Sequence, residues 1–284
     1  MINYVDFVSI GHVSYDINEY SDGSIVKNPG GAVAYASVLA LNHGMKPGII
    51  TACGDDYDYE IFLPNIRVCA SKSLHTTTFM NDYRADVRKQ AIIYNSNKIT
   101  KNLIPKNWMK PKIFFAGPLL HEIPKSSIGW IQADFSYIVP QGWFRKWNQE
   151  GIINIQGNLS DLKFNHRWDL LVLSEEESKS FTKEQLLDCA KIVCITKSSK
   201  GAKIYCETGE NYFIPSYIVK DLDPTGAGDI WATAMAIKLH SGSKPIDAGY
   251  YASAAAAISI ESFGLPKFLS PENIERKLQK NKIL

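Results

Sequence analysis

The sequence predicts an α/β protein with a central, mostly parallel sheet between two helical layers and a second, smaller sheet beside it. Apolar runs of strand length alternate with helical segments along most of the chain, which favours a parallel sheet covered on both faces. Two stretches rich in Thr, Ser and Tyr, at 14–27 and about 67–94, interrupt that alternation and suit half-exposed strands. With 284 residues, 45% of them hydrophobic, the chain is long enough to bury one large core.

Each element of the main sheet has its own local signal. Short apolar runs predict strands at 4–13, 48–53, 112–116, 137–139, 170–173 and 192–196. Helical segments are predicted at 31–43, 183–191, 227–240, 245–262 and 271–281. Gly44 ends the first helix and Pro271 opens the last, as these residue types commonly do. After a turn at Lys200-Gly201, strands at 203–206 and 212–214 are expected to run antiparallel.

The two irregular stretches, roughly 14–28 and 67–98, are expected to form a small β-sheet that covers the end of the main sheet as a lid. Residues 76–79 and 89–94 carry its clearest strand patterns. No repeat or linker divides the chain, so 1–284 is expected to be a single domain. Exposed edges of such a lid could pair between subunits, which makes a homodimer through the lid one expectation.

Composition argues against several functional classes. A formal net charge of +2, with scattered basic residues, gives no reason to expect binding to nucleic acid or to an anionic membrane. Five cysteines without a Cys-x-x-Cys pair argue against a disulfide framework or a zinc site, and fit a reducing cytoplasm. The first residues lead directly into a strand pattern, and no apolar run approaches membrane-spanning length. A cytoplasmic protein without a signal peptide or a membrane segment is therefore expected.

The most informative motif is Gly226-Ala227-Gly228-Asp229, at the start of the predicted helix 227–240. Glycines let an anion approach the backbone closely, and free N–H groups at a helix N-terminus favour negative charge. A carboxylate beside such an anion hole is useful if Asp229 takes a proton from a hydroxyl while the hole stabilises a transferring phosphoryl group. The alternative is that Asp229 merely complements the helix dipole and that the glycines shape a tight loop.

The longer string at 223–229, Asp-Pro-Thr-Gly-Ala-Gly-Asp, resembles the C-terminal signature of the ribokinase (PfkB) family of carbohydrate kinases. The segment 28–36, built around Gly30-Gly31, resembles that family's N-terminal signature and lies roughly 195 residues upstream. The resemblance implies a ribokinase-like three-layer α/β/α sandwich with a β-sheet lid over the acceptor. It also implies transfer of the γ-phosphoryl group of ATP, with Mg²⁺, to a hydroxyl of a sugar or related polyol. In that scheme Asp229 is the catalytic base, and the anion hole is formed by Gly226, Ala227 and Gly228.

The acceptor is expected to lie beside Asp16, Gly30, Gly31 and Tyr35. Asp16 follows the first predicted strand, where ligands of open α/β sheets bind, and its carboxylate can accept hydrogen bonds from two neighbouring hydroxyls. A turn aspartate that satisfies nearby backbone is the alternative. Tyr35 stands where many sugar kinases of the resembled family carry Asn, so a sugar, an inositol or a nucleoside stays open as the acceptor.

Thr196, Lys197, Ser198 and Gly201 resemble the nucleotide loop of the family, with Ser198 in place of a glycine. The resemblance places these residues along ATP, where Lys197 would neutralise phosphate charge. An exposed basic hairpin turn is the alternative interpretation of the same residues.

Glu177 is the expected metal-binding residue. It ends the run Ser174-Glu175-Glu176-Glu177 and matches the family's glutamate that helps place Mg²⁺ through water. As an alternative, Ser174 and Glu177 would form a capping box at the start of a short helix. Asp223 and Thr225 occupy positions that border a potassium site in some relatives, so K⁺ is an open addition to ATP and Mg²⁺.

Some features receive no settled role from the sequence. The segment 141–145, Gln-Gly-Trp-Phe-Arg, resembles one found in a branch of the family, and Arg88 could reach the substrate or face water. Two other functions stay open: a nucleoside or vitamin-precursor kinase of the same superfamily, and a catalytically silent ligand sensor on the same fold. The chain has no P-loop motif, and no Gly-x-Gly-x-x-Gly follows its first strand, which argues against a P-loop enzyme and a Rossmann dehydrogenase.

Overall fold

The computed structural model describes residues 4–84, 89–124, 129–162, 167–220, 222–266 and 269–280. Its strands are β1 (Phe7–Ile10), β2 (Ser14–Glu19), β3 (Ile25–Gly30), β4 (Pro47–Cys53), β5 (Arg67–Lys72), β6 (Thr77–Asp82), β7 (Lys89–Tyr94), β8 (Ile113–Ala116), β9 (Phe135–Ile138), β10 (Arg145–Trp147), β11 (Ile153–Ile155), β12 (Trp168–Ser174), β13 (Ala190–Thr196), β14 (Ala202–Cys206) and β15 (Asn211–Ile214). Its helices are α1 (Ala32–Asn42), α2 (Tyr59–Phe62), α3 (Gln141–Phe144), α4 (Glu175–Ser178), α5 (Lys183–Leu187), α6 (Ala227–His240), α7 (Pro245–Ser259) and α8 (Pro271–Lys280).

The central sheet has nine strands in the order β15–β14–β13–β12–β9–β8–β1–β4–β5. The strands from β13 to β5 are parallel, and β14 and β15 add an antiparallel edge. The predicted α/β fold is confirmed, including the antiparallel pair. Because the carboxyl ends of parallel strands meet at one edge, the residues that follow β1, β12 and β13 lie on the same side of the sheet.

The two faces of this sheet are covered differently. The long helices α1, α6 and α7 pack on one face, where small residues such as Ala36 and Ala234 are completely buried. Short helices and loops cover the other face, where Trp108, Trp143 and Trp168 are buried. Small side chains allow α6 to lie close to α1 and α7. This packing holds the N-terminus of α6 beside the strand ends.

A second sheet, called the lid sheet here, has the order β3–β2–β6–β7. Its inner strands β2 and β6 are parallel, and both outer strands are antiparallel to their neighbours. The predicted extent of the lid, 14–28 and 67–98, is wrong at one point. Residues 67–72 form β5 at the edge of the central sheet, where β5 pairs with β4. Val68 and Ala70 pack against the main core there, which accounts for the difference.

The first strand is shorter than the predicted 4–13. β1 ends at Ile10, and the chain then turns at Gly11, where a Cβ would lie only 2.3 Å from Gly117 O. The chain passes here from the central sheet to the lid sheet, and β2 begins at Ser14. Asp16 is therefore a residue of a lid strand, not of a turn.

The two edges of the lid sheet differ in cover. β7 pairs at Ala91 with Ile152, and the N–H of Ile92 donates to Gly151 O at 2.9 Å. On the opposite edge, Ile25 of β3 is 63% exposed. The homodimer stays a prediction, and β3 is the edge that would carry it.

Within the described ranges, every helix is too short or too polar to cross a membrane.

Candidate active site

A cavity of about 210 Å³ lies between the lid sheet, the strand ends of the central sheet and the start of α6. Most of the predicted catalytic and acceptor residues line it: Asp16, Gly31, Tyr35, Gly226, Gly228 and Asp229. The predicted metal residue Glu177 and the predicted nucleotide residue Thr196 line it as well. Residues of both glycine motifs therefore meet in one place, while the roles assigned to them stay predictions.

Asp229 lies in the first turn of α6 and is 8% exposed. Among the described residues, its Oδ1 has no hydrogen-bond partner. Burial raises the pKa of Asp229 to about 7; Arg145 acts against this rise, while Glu177 and Asp16 add to it. A carboxylate with this pKa can accept a proton near neutral pH and release it again.

The turn before α6 holds two glycines in different environments. Gly226 has φ 76°, and a Cβ there would lie 2.4 Å from Cδ1 of Tyr35. A Cβ on Gly228 would meet no other atom within 4 Å, so this glycine borders open space. The N–H of Ala227 donates to Pro224 O at 3.2 Å and is engaged in the turn. The role of Ala227 in an anion hole thus stays a prediction. Its N–H group could bind an anion only after the bond to Pro224 O has opened.

Gly30 and Gly31 shape the opposite side of the cavity. A Cβ on Gly30 would lie 2.5 Å from Asp16 Oδ2, so only glycine leaves room for that carboxylate. Gly31 has φ 101°, and a Cβ there would lie 2.6 Å from His12 O. Gly31 lines the cavity. Gly30 does not line it, but the absence of a side chain at Gly30 leaves space for the carboxylate of Asp16.

Tyr35 connects the two motifs. Its ring comes from α1, is 3% exposed and rests against Gly226. Burial, followed by the charges of Asp16, Asp223 and Asp229, raises the pKa of Tyr35 well above its ordinary value. The phenol is therefore a neutral hydroxyl that faces carboxylates on several sides.

Arg145 is a site residue to which the sequence assigned no role. It opens β10, is 6% exposed and lines the cavity. Its Nη1 donates to Leu119 O at 3.2 Å and its Nη2 donates to Gln141 Oε1 at 3.0 Å. The guanidinium carbon lies 5.0 Å from the ring centre of Phe79 in the lid sheet. Arg145 thus places a positive charge near Asp229 and Glu177 and also contacts the lid sheet.

Asn81 and Gln90 are two further residues of this region that the sequence did not single out. Asn81 is completely buried beside Asp16 in the lid sheet, and Gln90 lines the cavity. Their only signal in the sequence is an alternating strand pattern. Arg88, which the sequence placed in the lid, lies outside the described residues.

A second cavity of about 240 Å³ continues the first beyond the start of α6. The two share Thr196, Pro224 and Gly228, and the predicted nucleotide residues Ser198 and Gly201 line the second. Apolar side chains form much of its wall: Val219, Ala227, Trp231, Ala256, Ala257 and Ile260. Such a wall suits the flat face of a nucleobase.

Lys197 lies differently from the prediction. It lines neither cavity, and its Nζ forms an ion pair with the carboxylate of Glu175. Neutralisation of phosphate by Lys197 would require that pair to open.

Glu177 forms the capping box that was its alternative interpretation, and its metal-binding role stays a prediction. Its Oε2 accepts a bond from the N–H of Ser174 at 2.7 Å, while its own N–H donates to Ser174 Oγ at 3.2 Å, which completes a capping box. Burial raises the pKa of Glu177, and the bonds from Ser174 and the charge of Arg145 oppose that rise. Mg²⁺ keeps several waters and takes one or two carboxylates beside substrate phosphates. A single buried carboxylate at the cavity wall fits that requirement.

Asp223 connects two loops through hydrogen bonds to its carboxylate. Its Oδ1 accepts a bond from the N–H of Thr225 at 3.0 Å, and its Oδ2 accepts one from the N–H of Gly264 at 3.2 Å. Thr225 Oγ1 is buried and has no partner among the described residues. A K⁺ requirement stays a prediction.

Comparison with known proteins finds a match to one family of kinases. Residues 158–271 match the profile of the pfkB family carbohydrate kinases. The stretch 158–271 is therefore similar to the PfkB family. A cytidine kinase of Thermococcus kodakarensis is 25% identical over 245 residues, which are 80% of this chain and 86% of that relative. An inositol 3-kinase of Arabidopsis thaliana is 29% identical over 119 residues, which are 41% of this chain and 33% of that relative.

A solved structure gives the same fold. It is a pyrophosphate-dependent kinase in the ribokinase family, complexed with a pyrophosphate analogue and myo-inositol. Its TM-score to this chain is 0.76 at 22% identity, and the match covers 95% of this chain and 99% of the other. The likeness confirms the ribokinase-like architecture that was predicted.

Ser198 stands where the resembled nucleotide loop has glycine. Ser198 adopts φ 52°, in the left-handed region that glycine favours. The backbone therefore takes the shape for which glycine is the usual residue, and the serine hydroxyl is added to the wall of the second cavity.

Proposed function

We propose that this PfkB-family chain is an ATP-dependent kinase that transfers the γ-phosphoryl group of ATP to a hydroxyl of a sugar or related polyol. The single observation that carries the proposal is the placement of Asp229. A buried carboxylate with an unpartnered oxygen lies at the start of α6, beside a glycine that borders open space. This position suits a base that faces both a hydroxyl and an anion.

In the proposed reaction, Asp229 takes the proton of the acceptor hydroxyl. The hydroxyl oxygen forms a bond to the γ-phosphorus, the bond from that phosphorus to the bridging oxygen breaks, and ADP leaves with the electron pair. N–H groups of the turn at Gly226–Gly228 and the charge of Arg145 stabilise the developing negative charge. Mg²⁺, held near Glu177 through water, would supply further charge neutralisation at the phosphates.

The second cavity favours ATP over pyrophosphate as the donor. Trp231, Ala256 and Ile260 offer apolar surface that a purine can cover and pyrophosphate cannot use. The cavity joins the acceptor cavity at Gly228, so a nucleotide seated there points its phosphates at Asp229.

The first cavity favours a single polyhydroxylated ring as the acceptor. Its volume of about 210 Å³ lies below the range of about 300–1,000 Å³ that is usual for drug-sized ligands. A nucleoside is the second candidate, because a relative aligned over most of the chain is a cytidine kinase. A lid closed over either acceptor would exclude water and so protect ATP from hydrolysis.

The test is turnover with ATP or pyrophosphate, Mg²⁺ and K⁺, against pentoses, hexoses, inositols and nucleosides. We expect ATP-dependent product with one polyol class, and a loss of at least about 1,000-fold in Asp229→Asn, because the base is removed. Turnover should also fall as the pH drops below about 7, since Asp229 then becomes protonated. ATP binding without turnover on any acceptor would contradict the proposal and favour the ligand sensor.

A further inference from the structure

A buried carboxylate lies in the loop that follows β8. Glu122 is 1% exposed and does not line the first cavity. Its Oε1 accepts bonds from the N–H groups of His12 at 3.0 Å and Leu119 at 2.8 Å. Its Oε2 accepts bonds from the N–H groups of Leu119 at 3.0 Å and Leu120 at 2.7 Å. Three backbone N–H groups from two separate parts of the chain therefore converge on one side chain.

The carboxylate stabilises an unusual shape of this loop. Between Leu120 and Glu122, His121 adopts φ 58°, in the left-handed region that is costly for a residue with a side chain. Hydrogen bonds to a charged acceptor are strong, so the bonds to Glu122 offset that cost. Glutamine could not replace them all, because both oxygens are in use and an amide nitrogen would face an N–H group. The loop therefore requires a carboxylate at this position.

The same loop holds the segment 141–145, whose role the sequence left open. The N–H of Gly142 donates to Pro118 O at 3.0 Å, and a Cβ on Gly142 would lie 2.3 Å from Pro118 C. Trp143 Nε1 donates to Ile123 O at 3.0 Å. The glycine thus allows the loop and the segment to lie in contact, and the tryptophan binds the end of the loop.

Arg145, the last residue of this segment, is bonded to the loop twice. Its Nη1 donates to Leu119 O at 3.2 Å, and its carbonyl oxygen accepts a bond from His121 Nε2 at 2.7 Å. The N–H of Leu119 is at the same time bonded to both oxygens of Glu122. The carboxylate and the guanidinium are therefore connected through one residue, since Glu122 binds its N–H and Arg145 binds its C=O.

We propose that Glu122 is a positioning residue for Arg145. Glu122 holds the loop in the shape that presents Leu119 O and the His121 ring to Arg145, and so keeps the guanidinium in the cavity that Asp229 also lines. Without the carboxylate, the guanidinium can move away although every residue of the cavity wall is still present. This inference rests on the proposed function, in which Arg145 stabilises the developing negative charge.

A double-mutant cycle on the whole chain tests whether Glu122 acts through Arg145. With ATP and the best acceptor, Glu122→Gln should lower kcat about tenfold, while KM for ATP stays within about twofold of the wild type. In an Arg145→Met background, the same substitution should lower kcat less than about twofold, because the charge that it would misplace is already absent. A merely structural role would lower kcat equally in both backgrounds.

Asp6→Asn is the matched control. Asp6 is also a buried carboxylate that accepts a backbone N–H, from Lys46 at 2.6 Å. It precedes β1, so it lies at the opposite end of the strands from the cavity. We expect Asp6→Asn to lower the midpoint of urea denaturation and to leave kcat within about twofold of the wild type. An equal loss of kcat in this control would mean that lost stability explains the effect of Glu122→Gln, and would overturn the inference.

A second measurement needs no turnover. In NMR spectra of protein with isotope-labelled arginine, Nη1 and Nη2 of Arg145 should give separate signals, because they donate to fixed oxygens of Leu119 and Gln141. The signals are assigned by their absence in Arg145→Met. We expect them to merge in Glu122→Gln, since rotation about the Nε–Cζ bond becomes fast once Leu119 O is displaced. They should stay separate in Asp6→Asn.

The outcomes separate the two proposals. Signals that merge in Glu122→Gln, in a protein without kinase turnover, support the positioning role and contradict the proposed function. Signals that stay separate in Glu122→Gln, or an equal loss of kcat in both backgrounds, overturn the inference even if the chain is an active kinase. If Glu122→Gln does not fold, Glu122→Asp takes its place in both measurements, because it keeps the charge but withdraws it from the N–H groups.

Discussion

The two glycine turns of this chain, at 30–31 and at 226–228, both open long helices beside the same cavity, yet their glycines serve different ends. In the first turn, a Cβ would collide with protein, at Asp16 Oδ2 for Gly30 and at His12 O for Gly31. In the second turn, Gly228 faces open space. Gly226, in the second turn, resembles the first pair, because a Cβ there would lie 2.4 Å from Tyr35. Of these four glycines, Gly228 alone borders open space, which leaves room for a ligand. Glycines in similar motifs can therefore be required for different physical reasons.

The largest expected effect comes from adding a methyl group to the first turn. Gly31→Ala places a Cβ 2.6 Å from His12 O at φ 101°, so we expect it to lower the free energy of unfolding by at least about 3 kcal/mol. Gly209→Ala is the matched control, because Gly209 has φ 100° but no atom within 4 Å of its Cβ position. It should cost about 1 kcal/mol. Equal losses in urea denaturation would show that close approach is not the reason for Gly31.

The second expected effect concerns the carboxylate that follows the second turn. The pKa of Asp229 rises from 3.8 to about 7 on folding. The folded chain then holds the proton more tightly than the unfolded chain, so stability is fully present below about pH 4 and is lost as the pH rises through about 7. Asparagine is neutral at every pH. We therefore expect Asp229→Asn to be more stable than the wild type at pH 8, by about 1–4 kcal/mol.

Urea denaturation at pH 8 and at pH 4.5 checks this expectation, since the gain should shrink at the lower pH. The charged groups that act on Asp229 are Arg145, Glu177 and Asp16. A variant that is no more stable than the wild type at pH 8 would show that Arg145 compensates the buried charge.

Substitution of Gly228 is expected to have the smallest effect on stability and a clear effect on activity. Gly228→Ala has room for its methyl group and gains helix propensity, so the free energy of unfolding should stay within about 1 kcal/mol of the wild type. The methyl group occupies space where an anion would lie, so turnover should fall about 100-fold. Steady-state kinetics beside urea denaturation gives both values. Full activity in this variant would mean that the space at Gly228 is not used by the transferring group.

The sequence predicted best those features that depend on neighbouring residues. The turn at 226–229, the capping box of Ser174 and Glu177, and α6 itself all follow from local pattern, and the structure contains each of them. Arg145 could not be predicted, because its burial depends on Leu119, Gln141 and Phe79, which come from separate parts of the chain.

The differences between the sequence-based expectations and the structure have similar causes. Residues 67–72 have the alternating pattern of a lid strand, but pairing with β4 decides their sheet. The phosphate role of Lys197 stays a prediction, and Glu175 lies close enough to bind the charge of Lys197. Asn81 and Gln90 lie side by side, with Asn81 next to Asp16, only because of the cross-strand register of the lid sheet. Long-range pairing, which a single sequence does not reveal, explains each case.

We expect the contact of Tyr35 with Gly226 to form late during folding. The two residues are roughly 190 positions apart, so closing the intervening chain is entropically costly and slow relative to the formation of local hairpins and helices. A nascent chain that has not yet released α6 can pair the strands of its lid sheet, but the floor of the pocket is still missing. We therefore expect a growing polypeptide on the ribosome to lack a complete cavity, and so to bind no ligand there, until the segment from Gly226 onward has docked.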